Sequence, residues 1–452
     1  MEIKDIIRDK NRVFIKEEIP SEYFNDAYVN KVAKAFAVVK PIYKEEVIEI
    51  VKYANHHNKV IIARGTSTGV AGSQIPIIGG EIIVDFSKMN KIINFDEETL
   101  TLTVEPGVLL ADIQEYVEEK GYFYPPDPGS KHSTIGGNLA TNAGGMRAVK
   151  YGTTRDYIRE FDVVLPSGQA TTLGSLNIKN SSGYDLANLF IGSEGTLGLI
   201  TQIKLKIITK PRFSKSLILA FNNVVEATDI VIEILKNNYE PTALEMFEKD
   251  TIEYSEKLLD LKFQSQVGHA YILLTIDDND ENVINRKFSR LKTEFADKTL
   301  EIVFLNKQEE DIDWKLRDHI LYALMQLSTF EMLDEVVPIN KFGEMIRFTK
   351  TLQEIHKIKI FNFGHAGDGN VHTILMKEDY DNLTWEGKRK ELLNDLYKEV
   401  KRLGGLPSAE HGIGKIKKNQ LLRMYGPDAI NQMRRVKDSL DPDWIFNPGN
   451  MF

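Results

Sequence analysis

The chain has 452 residues, enough for two enlarged domains or three ordinary ones. Its 57 Lys and Arg stand against 66 Asp and Glu, a net charge of −9 with no basic stripe, so a nucleic acid is not expected as principal partner. Cysteine is absent, which excludes disulfides, Cys-ligated zinc, iron–sulfur clusters and thiol nucleophiles within the chain and leaves redox chemistry to a bound cofactor.

The opening Met1-Glu2-Ile3-Lys4-Asp5 alternates charge with apolar residues instead of building a signal-peptide core. No apolar run reaches the roughly 18 residues of a membrane span, so the expectation is a cytoplasmic chain with no transmembrane segment. Val47, Ile50, Val51 and Ala54 recur at helical spacing, followed by a short strand at 60–63. Strands are expected at 81–86 and 99–104, then a helix marked by Leu110, Ile113 and Val117 that stops at Gly121. From 125 to 152 six glycines interleave with Ser, Thr and Asn, a texture that predicts loops rather than a regular helix. A second such patch ends in Gly192-Ser193-Glu194-Gly195-Thr196-Leu197-Gly198 and a strand at 200–208, and Lys210-Pro211 reads as a domain boundary. Beyond it, strands at 216–221, 271–276 and 301–305 alternate with helices near 225–237 and 282–297, which predicts a sheet with helices on one side. Helix is expected again at 340–357 and 384–403, with strand and loop at 359–376.

Three segments, 64–73, 128–152 and 192–198, share a small-residue composition that lets backbone N–H groups turn inward around an anion such as a diphosphate. None matches the Rossmann or P-loop pattern. Farther on, His365 and His372 are separated by glycines that argue for a loop entering a strand, while Glu410 and His411 sit on another glycine-flanked loop. Two imidazoles and a carboxylate make a three-ligand metal site with open positions.

These motifs carry a resemblance. Arg64-Gly65, Pro126-Asp127-Pro128-Gly129-Ser130, Thr134-Ile135-Gly136-Gly137-Asn138, Asn142-Ala143-Gly144-Gly145 and the 192–198 segment resemble the FAD-binding elements of the vanillyl-alcohol oxidase/p-cresol methylhydroxylase superfamily. Phe363-Gly364-His365-Ala366-Gly367-Asp368-Gly369-Asn370-Val371-His372 and Glu410-His411-Gly412-Ile413-Gly414 resemble its D-lactate/D-2-hydroxyacid dehydrogenase branch, near the glycolate oxidase catalytic subunit. The match runs from about Lys31 to Asn447-Pro448-Gly449.

The resemblance implies an α+β fold: an FAD domain of two subdomains at 1–210, a cap domain at 211–420, and a segment at 421–452 that completes the FAD domain. It implies FAD contacts from Arg64, Gly65, Thr66, Ser67, Thr68 and Gly69 in the first loop. In the second they fall on Pro128, Gly129, Ser130, Ser133, Thr134, Gly136, Gly137, Asn138, Thr141, Asn142, Gly144, Gly145, Tyr151 and Gly152. Glu194, Gly195, Gly198, Ile200 and Asn447 complete the set. His365, His372 and Glu410 are implied ligands of a divalent zinc, manganese or iron, His411 the proton acceptor, Asn370 part of the substrate region and Arg317 the cation for the substrate carboxylate.

The implied reaction is oxidation of a short 2-hydroxy acid, D-lactate first, with glycolate or D-2-hydroxyglutarate as alternatives and a metal-dependent hydrolase as the contrasting class. D-2-hydroxyglutarate dehydrogenases carry a lysine where this chain has Met332, just before Asp334-Glu335-Val336-Val337-Pro338, which favours a monoacid. The implied electron acceptor is a partner, either an electron-transfer flavoprotein or an iron–sulfur subunit.

Overall fold

Val47, Ile50, Val51 and Ala54 bury one face of the helix Lys44–His56 against Ala37, Val39, Ile61, Ile82 and Val84. Each buried valine or isoleucine here contributes about 1.5–3 kcal/mol. The structure, a computed structural model, describes residues 2–26 and 34–452, so Lys31 lies outside the described residues. The chain divides into two compact units, Met1–Gly144 with Thr153–Lys210 and Glu410–Phe452, and Gly145–Gly152 with Pro211–Ala409.

In the first unit, strands β1 (Val13–Ile15), β2 (Ala37–Val39), β3 (Ile61–Arg64) and β4 (Ile82–Asp85) form a sheet in the order β1-β2-β4-β3, with β2, β4 and β3 parallel. A second, antiparallel sheet has the order β5-β6-β10-β8-β9, from β5 (Ile92–Asp96), β6 (Thr101–Val104), β8 (Ile158–Val164), β9 (Ala170–Gly174) and β10 (Leu199–Lys206). β7 (Tyr122–Phe123) pairs with β11 (Ile208–Thr209). This mixed α and β arrangement agrees with the expected fold class.

The glycine-rich region departs from expectation, because Ile135–Thr141 is helical. Thr134 caps it by accepting the Gly137 N–H, and a Cβ at Gly136 would lie 2.7 Å from the Pro106 side chain. The glycines here serve close packing and do not prevent a helix. The helix ends at Asn142, whose φ of 52° puts it in the left-handed region.

The second unit is built on one seven-stranded antiparallel sheet in the order β15-β12-β14-β13-β17-β18-β16. Its strands are β12 (Phe213–Phe221), β13 (Ala243–Glu248), β14 (Ala270–Asp278), β15 (Glu301–Phe304), β16 (Phe330–Val336), β17 (Lys359–His365) and β18 (Asn370–Met376). One face carries Ile218, Phe247, Leu273, Phe363 and Ile374 against Ile252, Leu316, Ile320 and Leu324 of three helices. The helices Val224–Lys236, Glu281–Phe295 and Phe342–His356 pack on the same strands, and the alternate strand residues Leu217, Leu219, Leu244, Met246, Ile272 and Leu274 are buried as well. The sheet is thus covered on both faces, not on one: buried residues at successive strand positions need a partner layer on each side.

The return to the first unit comes at Glu410, earlier than the expected 420. The segment just after it is tied to first-unit residues, with Lys415 N–H donating to Ala71 O at 3.0 Å and Met451 N–H to Gly414 O at 2.9 Å. The residues Gly145–Gly152, expected in the FAD domain, belong to the second unit, where Lys150 Nζ donates to Asp277 O at 2.9 Å and Val149 lies against Gly367.

Candidate active site

In the first unit the three small-residue segments converge. Thr66 Oγ1 donates to His132 O at 2.6 Å, and a Cβ on Gly65 would strike Thr134 Oγ1 at 2.3 Å. The N–H groups of Gly192 and Glu194 donate to Leu139 O and Ala140 O, which ties the 192–198 segment to the helix Ile135–Thr141. Asn447 Nδ2 donates to Ser73 O at 2.8 Å and Glu194 O at 3.2 Å. Arg64 is buried, with its guanidinium donating to Ser67 Oγ and to Glu22 O.

This assembly fits a dinucleotide cofactor on its own chemistry. Gly129 has open space where a side chain would be, and Asn138, 4% exposed, holds an Nδ2 with no hydrogen-bond partner, a donor set to meet a bound group. Among the other expected contacts, Ser133 Oγ donates to Ser130 O, Thr141 Oγ1 to Gly137 O, and Asn142 Oδ1 accepts from Arg155 N–H. Ile200 lies on β10 opposite Val163, and Gly198 packs against Val163 and Phe190. Thr68, Gly69 and Pro128 lie in the same converging loops, while Gly195, at φ 68°, follows Glu194 directly. Gly145, Tyr151 and Gly152 belong to the second unit, where Tyr151 Oη donates to Asp277 Oδ2 at 2.9 Å.

In the second unit the expected loop between the histidines is a tight hairpin with both residues on strands. His365 closes β17 opposite Asn370, and His372 lies in β18 opposite Phe363. Strand alternation puts Glu245, His365 and Asn370 in one cross-strand row and Phe247, Phe363, His372 and Asp334 in the next, all on one face. The apolar face carrying Phe247, Phe363 and Ile374 therefore ends in a buried polar cluster. The two imidazole rings meet edge to face at 5.3 Å between centroids.

Glu245 is fully buried and pairs with Arg317 Nη2, while its Oε1 accepts from His365 Nδ1 at 2.7 Å. Burial pushes the Glu245 carboxyl up, but Arg317 and His365 outweigh it and hold the group below the ordinary carboxylate range. An ionised Glu245 only accepts, so Nδ1 of His365 carries a proton toward it, the orientation that outer-shell carboxylates impose on metal-binding imidazoles. Asp334 lies 3.9 Å from His372 Nδ1 and accepts from Asn370 Nδ2 at 3.0 Å, Ser408 Oγ at 2.7 Å and Ala409 N–H at 3.0 Å. Ala409 immediately precedes Glu410 in sequence. Glu410 and His411 are half-buried in the first unit, with Glu410 Oε1 3.8 Å from His411 Nε2. Imidazole and carboxylate donors of this kind suit a divalent cation.

Sequence reasoning missed Glu245 and the partner role of Asp334. The available signal was one acid inside the apolar run Ala243-Leu244-Glu245-Met246-Phe247. Among the described residues no helix is long and apolar enough to cross a membrane.

Comparison with known proteins shows the family and the fold. Residues 210–451 match the model for FAD linked oxidases, C-terminal domain, and residues 35–174 match that for an FAD binding domain. The chain is 36% identical to the D-lactate dehydrogenase of Anaerostipes hadrus over 97% of its length and 94% of the relative's. It is 34% identical to the glycolate oxidase subunit GlcD of Bacillus subtilis (strain 168), over 92% and 88%. The solved structure of p-cresol methylhydroxylase with substrate bound shares the fold, with a TM-score of 0.83, 17% identity, and coverage of 99% of this chain and 95% of that one. With a model spanning more than half its residues and relatives matched nearly end to end, the chain belongs to the family of FAD-linked oxidases.

Proposed function

We propose that the chain oxidises a short D-2-hydroxy acid, D-lactate foremost, to the 2-oxo acid, with electrons passed on to an external acceptor. The buried polar end of the seven-stranded sheet, with Glu245, His365, His372, Asp334 and Asn370 on one face beside an apolar core and Arg317 paired to Glu245 from the helix Lys307–Asp318, carries this reading. Both curated relatives described above are named for enzymes of 2-hydroxy acids. The three small-residue loops would hold FAD, which would supply the acceptor for a hydride from C2 of the substrate. His365, His372 and Glu410, with Asp334 as a further donor, would hold a divalent metal, which would supply Lewis acidity toward the substrate hydroxyl.

The chain's own residues do the rest. His411 takes the hydroxyl proton. Arg317 offers positive charge to the substrate carboxylate while its Nη2 stays committed to Glu245. Asn370 holds Asp334 in place and faces the substrate region. Met332 packs against the apolar core of its sheet face and offers no cation for a second carboxylate, which supports a monoacid. The family of FAD-linked oxidases sets aside the hydrolase alternative.

Without cysteine the chain has no iron–sulfur relay of its own, and an electron-transfer flavoprotein or iron–sulfur partner receives the electrons. A panel of D- and L-2-hydroxy acids with a dye acceptor tests the reading. Turnover is expected for D-lactate and absent for L-lactate, and D-2-hydroxyglutarate as best substrate would overturn the monoacid assignment.

A further inference from the structure

Glu194 belongs to the segment whose composition points to cofactor contact, yet its side chain is spent elsewhere. It is 5% exposed and sits at a φ of 52°, a left-handed conformation that a glutamate adopts only when its surroundings hold it there. Oε1 accepts from Ile413 N–H at 2.7 Å, and Oε2 accepts from Gly414 N–H at 2.8 Å, Ser73 Oγ at 2.6 Å and Asn450 Nδ2 at 3.1 Å. Two of these four donors are the backbone amides that directly follow His411 and Gly412. Gly412 adopts φ 80°, and a Cβ there would come within 2.9 Å of Glu194 Oε1, so the loop is shaped around the carboxylate. The clamp continues at Lys415, whose Nζ donates to Ser73 O, Ile75 O and Asn447 Oδ1.

We propose that Glu194 is a positioning residue: its carboxylate fixes the 411–414 backbone and thereby aims His411 for proton abstraction. The proposal rests on the reading of His411 as the base. The four neutral donors all point N–H or O–H at one anion, and a glutamine there would turn an NH2 toward donors and lose some of these bonds.

The test uses the full-length FAD-loaded protein and the Glu194→Gln variant. Hydrogen exchange of the 411–415 amides should accelerate by about tenfold or more, with the rest of the first unit unchanged. The flavin reduction rate should fall about 10- to 100-fold with FAD content retained. The double variant Glu194→Gln/His411→Ala should be no slower than His411→Ala alone, because both changes act through one group. Independent losses in the double variant, unchanged exchange at 411–415, or loss of FAD without faster exchange there would each overturn the proposal. A His411→Ala variant with wild-type reduction would strike the assignment of the base while leaving the exchange result to judge the clamp. Should Glu194→Gln fail to fold, Ser73→Ala removes one donor and should show the same pattern with about a 2- to 10-fold effect.

Discussion

Replacing Glu245 by glutamine tests the buried polar cluster where its energetics are most exposed. Glu245 is 0% exposed and its two oxygens serve Arg317 and His365. The amide keeps the shape but removes the charge, leaving a guanidinium of 8% exposure facing a neutral group. Breaking a buried pair in this way costs about 3–5 kcal/mol. Asp318, 3.7 Å from Arg317 Nη1 on the exposed side, compensates little of that. For a unit of roughly 200 residues, each kcal/mol moves Tm by about 2–4 °C, so a fall of about 6–20 °C is expected in the unfolding of the second unit. His365 loses its anionic acceptor in the same change, and metal affinity should drop by about 10- to 100-fold. Calorimetry together with metal analysis reads both effects. A Tm within about 2 °C of wild type and full metal content would refute the picture of Glu245 as an ionised group holding Arg317 and His365.

His372→Ala and Glu410→Ala should each lose bound metal and turnover together, as measured by elemental analysis beside steady-state assays; active protein with no more than trace metal would remove the metal from the account. Asp313 lies in the helix Lys307–Asp318, and burial pushes its carboxyl up to about 8. Its folded pKa is raised, so its contribution to stability is fully present below the unfolded value near 3.9 and is lost as pH rises toward about 8. Asp313→Asn should therefore gain stability over wild type at pH 8 by several kcal/mol and flatten that dependence, which denaturant unfolding across pH reads directly. Glu245 carries the opposite sign: its folded pKa is depressed, so its stabilisation is present above about pH 4.3 and disappears as pH falls through the folded value. Reoxidation of the substrate-reduced protein in air should be much slower than turnover with a dye; reoxidation at the turnover rate with stoichiometric peroxide would make the protein an oxidase.

Much of the fold was legible wherever burial follows period. Val47, Ile50, Val51 and Ala54 announce their helix, and Ile200 to Lys206 their strand, because each element buries one patterned face. Glycine misled at Ile135–Thr141, since local sequence does not reveal that Pro106 crosses above Gly136. The one-sided helix layer failed for the same kind of reason: strands such as Ala270–Asp278 are buried throughout, which removes the alternation that tells a covered face from an open one. At the site, His365 and His372 were visible through their glycine setting, whereas Glu245 was not. Its pairing with His365 is a matter of strand register between β13 and β17, which are far apart in the chain and carry no mark of it in either local sequence.

Hydride transfer from a D-2-hydroxy acid to bound flavin is the reaction on which every role assigned to these residues depends. Mixing the purified, oxygen-free protein with D-lactate and following the flavin absorbance measures this directly. Rapid bleaching of the yellow colour with D-lactate, none with L-lactate, and appearance of pyruvate in stoichiometric amount is the result expected. A protein that carries FAD and metal yet keeps its full flavin spectrum with D-lactate, glycolate and every other 2-hydroxy acid offered would contradict the account.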